Sequence, residues 1–95
     1  RQAKQQFREG ILSSWGSLCA YCGRPGDTLD HVRPRSRGGS TDRCNLVCCC
    51  ACCNQAKESE NDWRHWFRQQ KWWSPYREHA IQVWLNTETQ DWATV

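Results

Sequence analysis

The stretch Leu29-Asp30-His31-Val32-Arg33-Pro34 lies between two C-x2-C pairs, Cys19-Ala20-Tyr21-Cys22 and Cys50-Ala51-Cys52-Cys53, and the second pair runs directly into Asn54. Paired C-x2-C knuckles have the spacing of a four-thiolate zinc site, whose closed tetrahedron leaves no position for substrate. The Asp-His pair and the Asn that follows the second knuckle add groups that such a site does not use. They point to a second, catalytic metal beside the structural one.

Working outward, Asp27-Thr28-Leu29-Asp30-His31-Val32 reads as a short strand that Pro34 ends, and Leu46-Val47-Cys48 as its returning partner. Between them Ser36 to Arg43 forms a loop with Gly38-Gly39. Helix is favoured from Cys53 or Asn54 onward, where Gln55, Ala56, Lys57 and Glu58 follow. The central unit is therefore strand, loop, strand, helix. Before it, Phe7, Ile11, Leu12 and Trp15 share one face of a helix over about residues 2–15, closed by Gly16. After it, Trp63, Trp66 and Phe67 mark a helix over about 62–70. Ser74-Pro75 starts a last one over about 75–86, with Ala80, Ile81, Trp84 and Leu85 on one face. From Thr87 the chain reads as loose.

Ninety-five residues without an internal repeat fit a single domain over 1–95. Such a chain buries a modest core, here supplied mostly by seven Trp and two Phe, so a metal staple helps. Eight cysteines in a short chain also suit a disulfide scaffold. The C-x2-C spacing, the crowding of Cys48-Cys49-Cys50 and the lack of a hydrophobic leader favour reduced, zinc-bound thiols in a cytoplasmic compartment. The chain opens at Arg1 without an initiator Met, which weakens the leader argument. No membrane-spanning run is present in the sequence. Cys49 and Cys52 are also spaced C-x2-C, but Cys50–Cys53 places Asn54 directly after the pair and is preferred. Cys44, Cys48, Cys49 and Cys52 are then expected to be buried or free thiols.

The net charge of +3 excludes little by itself, but Arg33, Arg35, Arg37 and Arg43 fall in the loop and Lys57 follows the second knuckle. A solvated basic loop is the plain alternative to phosphate contact. Arg64, Arg68, Lys71 and Arg77 are further cations on the flanking helices, and Glu88 and Asp91 make the tail acidic.

In family order, Cys19–Cys22, Leu29-Asp30-His31-Val32, Pro34, Ser36, Gly38-Gly39, Asn45-Leu46, Cys50–Cys53-Asn54 and Lys57 resemble the HNH endonucleases. The resemblance covers about residues 19–57. It implies an α+β, ββα-metal (His-Me finger) core with a structural zinc site, flanked by N- and C-terminal helices. It also implies a metal-dependent DNA endonuclease leaving a 5′ phosphate and a 3′ hydroxyl, in a bacterial or phage-host setting. Carried over by residue, His31 is the general base, Asn45 orients the loop, and Asp30 and Asn54 hold the catalytic metal. Asn54 stands where many members have His, which makes this an H-N-N variant. Cys19, Cys22, Cys50 and Cys53 are expected to hold structural Zn2+, and from the charge distribution Arg33, Arg35, Arg37 and Lys57 are expected to contact double-stranded DNA.

The chemistry asks for the same types. A hard cation, Mg2+ or Mn2+, takes oxygen ligands such as the Asp30 carboxylate and the Asn54 amide and offsets charge that builds on the phosphoryl oxygens. A histidine near its ordinary pKa of about 6.5 can accept a proton at neutral pH. Neighbours on a regular strand point to opposite faces, so the strand is expected to end or distort at Asp30-His31. Asn54 also suits a helix N-cap, and His65 and His79 suit solvated or core roles. A non-catalytic zinc module that binds DNA or protein is the competing reading. A homodimer follows only if several tryptophans prove exposed together.

Overall fold

The computed structural model describes residues 2–94, with side chains placed through Thr87; the acidic tail residues Glu88 and Asp91 have side chains outside that range. The chain order is α1 (Gln2–Ser14), β1 (Thr28–His31), β2 (Leu46–Cys49), α2 (Ala51–Lys57), α3 (Trp63–Arg68) and α4 (Pro75–Thr94), with 3-10 turns at Arg35–Arg37 and Arg43–Asn45. It is a small mixed helix and strand fold.

The end of α1 is set by backbone chemistry. Gly16 and Ser17 take φ of 63° and 58°, and their amides return to Ser13 O and Leu12 O at 2.9 and 2.8 Å. These bonds satisfy carbonyls that the helix leaves open. Ile11 is fully buried from this helix, whereas Phe7, expected on the same face, stays exposed.

β1 and β2 pair antiparallel, with Asp30 opposite Val47 and His31 opposite Leu46. The first knuckle docks on this hairpin through Ala20 N to Cys48 O at 2.8 Å. The connecting loop needs glycine at one place in particular. A Cβ on Gly39 would lie 1.7 Å from Arg33 O, because the Gly39 amide donates to Pro34 O at 2.9 Å and the strands of the loop nearly touch.

α2 begins at Ala51, earlier than the sequence suggests, because Cys50 caps it: its Sγ accepts from Cys53 N at 3.4 Å. A cap is usually an oxygen side chain, and by that rule Asn54 suits the position better than Cys50. Asn54 instead lies inside the helix. α3 is capped by Asp62, which accepts from His65 N at 3.0 Å, and α4 by Ser74, which accepts from Arg77 N at 3.3 Å. α4 continues to Thr94, past the expected end near residue 86, since neither Gly nor Pro follows Pro75.

The core gathers Ile81, Trp63, Trp66, Phe67, Val32, Val47 and Tyr21 around the cysteine knuckles. Tyr21 sits edge-on to Trp66 and Phe67, with centroids 5.2 and 5.4 Å away, a favoured aromatic geometry. Trp84 Nε1 donates to Leu46 O at 2.7 Å and to Arg43 O at 3.0 Å, which pins α4 to the start of β2. Arg77 Nε donates to Tyr21 O at 2.7 Å and so joins α4 to the first knuckle. The helices outside the central unit thus hold the hairpin and the knuckles in place. No helix among the described residues is long and apolar enough to cross a membrane.

Candidate functional site

The thiols of Cys19, Cys22, Cys50 and Cys53 lie within 4.8 Å of one another. Cys22 Sγ and Cys50 Sγ are 3.7 Å apart, against about 3.8 Å for the edge of a zinc tetrahedron with bonds of about 2.3 Å. Four sulfur donors at such spacing can hold a metal ion such as zinc. The pairing is Cys50 with Cys53; Cys52, the other candidate, is exposed on α2. The Cys19 thiol is held far below the ordinary range by hydrogen bonds from the thiols of Cys49 and Cys53, while those two thiols are pushed up by the same bonds and by burial. Cys49 is thus a fifth sulfur against the cluster. Cys48 is buried with its Sγ donating to Gly26 O at 3.3 Å, and burial pushes its thiol up to about 11. None of the eight cysteines forms a disulfide.

Beside this cluster Asp30, His31 and Asn54 line one cavity of about 270 Å³, together with Pro34, Arg35 and Glu58. They reach it from two elements. β1 ends at His31, so the strict alternation of a strand stops where both side chains are needed. Asn54 comes from the middle of α2.

The orientation of the Asn54 amide is fixed by its neighbours. Its Nδ2 donates to Thr28 Oγ1 at 3.1 Å and to Leu29 O at 3.2 Å, while the Thr28 hydroxyl donates to Cys49 O at 2.6 Å. Both partners accept here, so the nitrogen must face them and the amide oxygen is left without a protein partner among the described residues. His31 is half-buried, with Nε2 3.4 Å from Thr41 Oγ1. Burial lowers its pKa, the positive charges of Arg35 and Lys57 lower it further, and Asp30 opposes them.

Asp30 is 4% exposed, and its Oδ2 accepts from the Tyr21 hydroxyl at 2.7 Å and pairs with Lys57 Nζ at 3.2 Å. Burial raises its pKa, against the pull of Lys57 and Tyr21. Oδ1 has a single long contact, 3.5 Å from Lys57 Nζ.

Lys57, expected to reach DNA, lies elsewhere. It is 1% exposed, and its ammonium also donates to His31 O at 2.9 Å. A cation so placed serves the carboxylate and the strand end, and no phosphate can reach it. Tyr21 was not singled out by sequence, since a residue between two knuckle cysteines carries no signal of its partner.

Asn45 is buried in the loop base. Its Oδ1 accepts from Arg33 N at 2.9 Å, and its Nδ2 donates to Arg33 O at 3.0 Å and Ser40 O at 2.7 Å. One side chain therefore closes the loop from β1 toward β2. Arg33, Arg35 and Arg37 are exposed around it. Three of the helix cations have partners within the fold: Arg68, still exposed, and Arg64, half-buried, pair with Glu78, and Arg77 bonds backbone carbonyls.

Residues 19–60 match the family model described as HNH endonuclease. Residues 19–60 are an HNH endonuclease domain. The match takes in both cysteine knuckles, the hairpin, α2 and every residue lining the cavity. The HNH domain is similar to the CRISPR-associated endonuclease Cas9 of Corynebacterium diphtheriae, at 50% identity over 41% of this chain and 4% of that relative. The chain thus spans about 4% of the length of the curated relative it matches. No solved structure matches it. Family and relative both support a nuclease-type function for the HNH domain.

Proposed function

We propose that this chain is a metal-dependent endonuclease that hydrolyses phosphodiester bonds in double-stranded DNA, with residues 1–95 acting as one domain on a ββα-metal core. The observation that carries this reading is the cavity shared by Asp30, His31 and Asn54. The Asn54 oxygen is turned free by its amide bonds, and Asp30 Oδ1 has one long contact, so two hard oxygen donors are available for Mg2+ or Mn2+. Bound there, the cation would offset charge on the phosphoryl and leaving oxygens. The four knuckle thiols would hold structural Zn2+.

His31 is the base in this reading. With Nε2–H toward Thr41 Oγ1, Nδ1 is the nitrogen left to take a proton from the attacking water. The oxygen–phosphorus bond forms as the bond to the 3′ oxygen breaks, and the 3′ oxygen takes a proton from solvent. Burial lowers the His31 pKa, which favours the neutral imidazole that a base requires. Asn45 fixes the loop that carries Arg33, Arg35 and Arg37, whose exposed guanidiniums suit phosphate oxygens. Homodimerisation draws no support: among the described side chains Trp73, at 38% exposure, is alone among the tryptophans in being more than partly exposed.

The test is plasmid cleavage by wild type and His31→Ala in Mg2+, Mn2+ and EDTA, with zinc content and DNA binding measured on the same samples. Cation-dependent nicking or linearisation that His31→Ala abolishes, with zinc and DNA binding kept, is the expected result. A folded, zinc-loaded wild type that binds DNA and never cuts would make the chain a binding module.

A further inference from the structure

Tyr21 belongs to the first knuckle by sequence and to the candidate catalytic site by contact. It is fully buried, its ring is held between Trp66 and Phe67, and its hydroxyl ends on Asp30 Oδ2 at 2.7 Å. Cys19 and Cys22, two of the four clustered thiols, flank it within four residues of chain. Lys57 Nζ takes the same Oδ2 at 3.2 Å. One carboxylate oxygen is therefore occupied twice, and the other is nearly bare.

We propose that Tyr21 is a positioning residue: with Lys57 it pins Asp30 Oδ2, sets the rotation of the carboxylate and leaves Oδ1 as the oxygen offered to the catalytic cation. This rests on the nuclease reading above and deepens it. A carboxylate without such a partner turns about its last torsion, a broad and roughly two-fold well, and must be ordered each time a cation binds. Hydrogen-bond partners of metal ligands remove that freedom, and losing one typically weakens metal binding by about 10–100-fold. Tyr21 does this from inside the zinc knuckle. The structural and catalytic centres are then joined through one side chain: the thiol cluster fixes the knuckle, the knuckle fixes the tyrosine, and the tyrosine fixes the carboxylate. Arg77 steadies the same peptide from outside by its bond to Tyr21 O.

The variant Tyr21→Phe keeps the ring and deletes the hydroxyl. Mn2+ binding by the full chain, followed by electron paramagnetic resonance in the absence of DNA, is expected to weaken at least about tenfold, with zinc content and circular dichroism unchanged. Equal Mn2+ affinity in the two proteins overturns the proposal. A second measurement needs no variant. The chain has two tyrosines, and Tyr76 is 87% exposed, so 13Cζ-tyrosine spectra of the wild type contain one buried signal and one internal control. Titration with Mg2+ is expected to shift the Tyr21 signal and leave Tyr76 in place. A Tyr21 signal that stays fixed while Mn2+ binds refutes the proposal even if Tyr21→Phe cannot be folded. A wild type that binds no Mn2+ removes the catalytic site itself, and the proposal with it.

Discussion

Lys57 Nζ lies 2.9 Å from the carbonyl oxygen of His31 and 3.2 Å from Asp30 Oδ2, so one buried ammonium ties the end of β1 to the C-terminal turn of α2. Two opposite charges at nearly zero exposure are costly to bury and costlier to separate, because the survivor has no water to turn to. Lys57→Met is expected to lower stability by about 3–5 kcal/mol in urea unfolding. The double variant Asp30→Asn with Lys57→Met should lose less than the sum of the two singles, since it leaves no unpaired charge. Additive losses would show that the pair does not couple.

The thiol cluster bears on folding as a whole. Structural zinc binding is worth about 10–16 kcal/mol in small peptides at neutral pH, comparable to the entire stability of a domain this size. Cys53→Ser, or removal of metal by a strong chelator, is expected to abolish the cooperative transition and the bound zinc together. Cys52→Ser is the control, because that thiol is exposed and outside the cluster. It should change stability by no more than about 0.5 kcal/mol. Zinc analysis beside circular dichroism checks both, and a cooperative Cys53→Ser protein without zinc would overturn this.

What the sequence conveyed well was whatever obeys a period or a fixed spacing. The knuckle thiols meet because C-x2-C is a local geometry repeated twice, and the helices at Gln2–Ser14 and Trp63–Arg68 lie where apolar spacing of three and four predicts them. Side chains that reverse their usual habit were not legible. Lysine is among the residues least often buried, so Lys57 read as a surface cation, and only the tertiary fold reveals Asp30 beneath it. Likewise the thiol of Cys50 caps α2, a task that sequence rules give to oxygen. Glu78 and its partners are separated by the break between α3 and α4, where no helical period connects them.

That Glu78 cluster carries a pH dependence of its own. The carboxylate accepts from Arg68 Nε at 2.8 Å, Arg68 Nη2 at 2.6 Å and Trp73 Nε1 at 2.8 Å, with Arg64 also at 3.2 Å. The Arg68 bonds first, then Trp73 and the nearby positive charges, bring its pKa from 4.5 down to about 2, against the opposing effect of burial. A folded value below the unfolded one means that this contribution is complete above about pH 4.5 and is lost as pH falls toward 2. Glu78→Gln is expected to cost about 1–3 kcal/mol at pH 6. The gap between wild type and variant, read from urea unfolding by tryptophan fluorescence, should narrow on going from pH 6 to pH 3 and vanish only toward pH 2. A gap that stays constant over that range would exclude the carboxylate's charge as its source.

The rate should follow His31 on the acidic limb of the pH profile, at a lower pH than a surface histidine would give. Taking a proton from water requires neutral imidazole, and activity therefore falls as pH drops through the His31 pKa. Burial lowers that pKa from the ordinary 6.5, with Arg35 and Lys57 adding to the shift. On the proposed nuclease reading, the acidic limb of kcat/KM is thus expected below pH 6.5, where an exposed histidine is mostly charged. Arg35→Ala deletes one of the positive charges and should move the limb upward, while also weakening DNA binding and reducing its salt slope by about 1. Rate profiles of both proteins at constant ionic strength, beside a separate salt titration of DNA binding, separate the two effects, because the limb reports the base and the salt slope reports the phosphate contact. A wild-type limb above pH 6.5 would remove His31 from the role of a desolvated base, and an unmoved limb in Arg35→Ala would show that the guanidinium does not act on the imidazole.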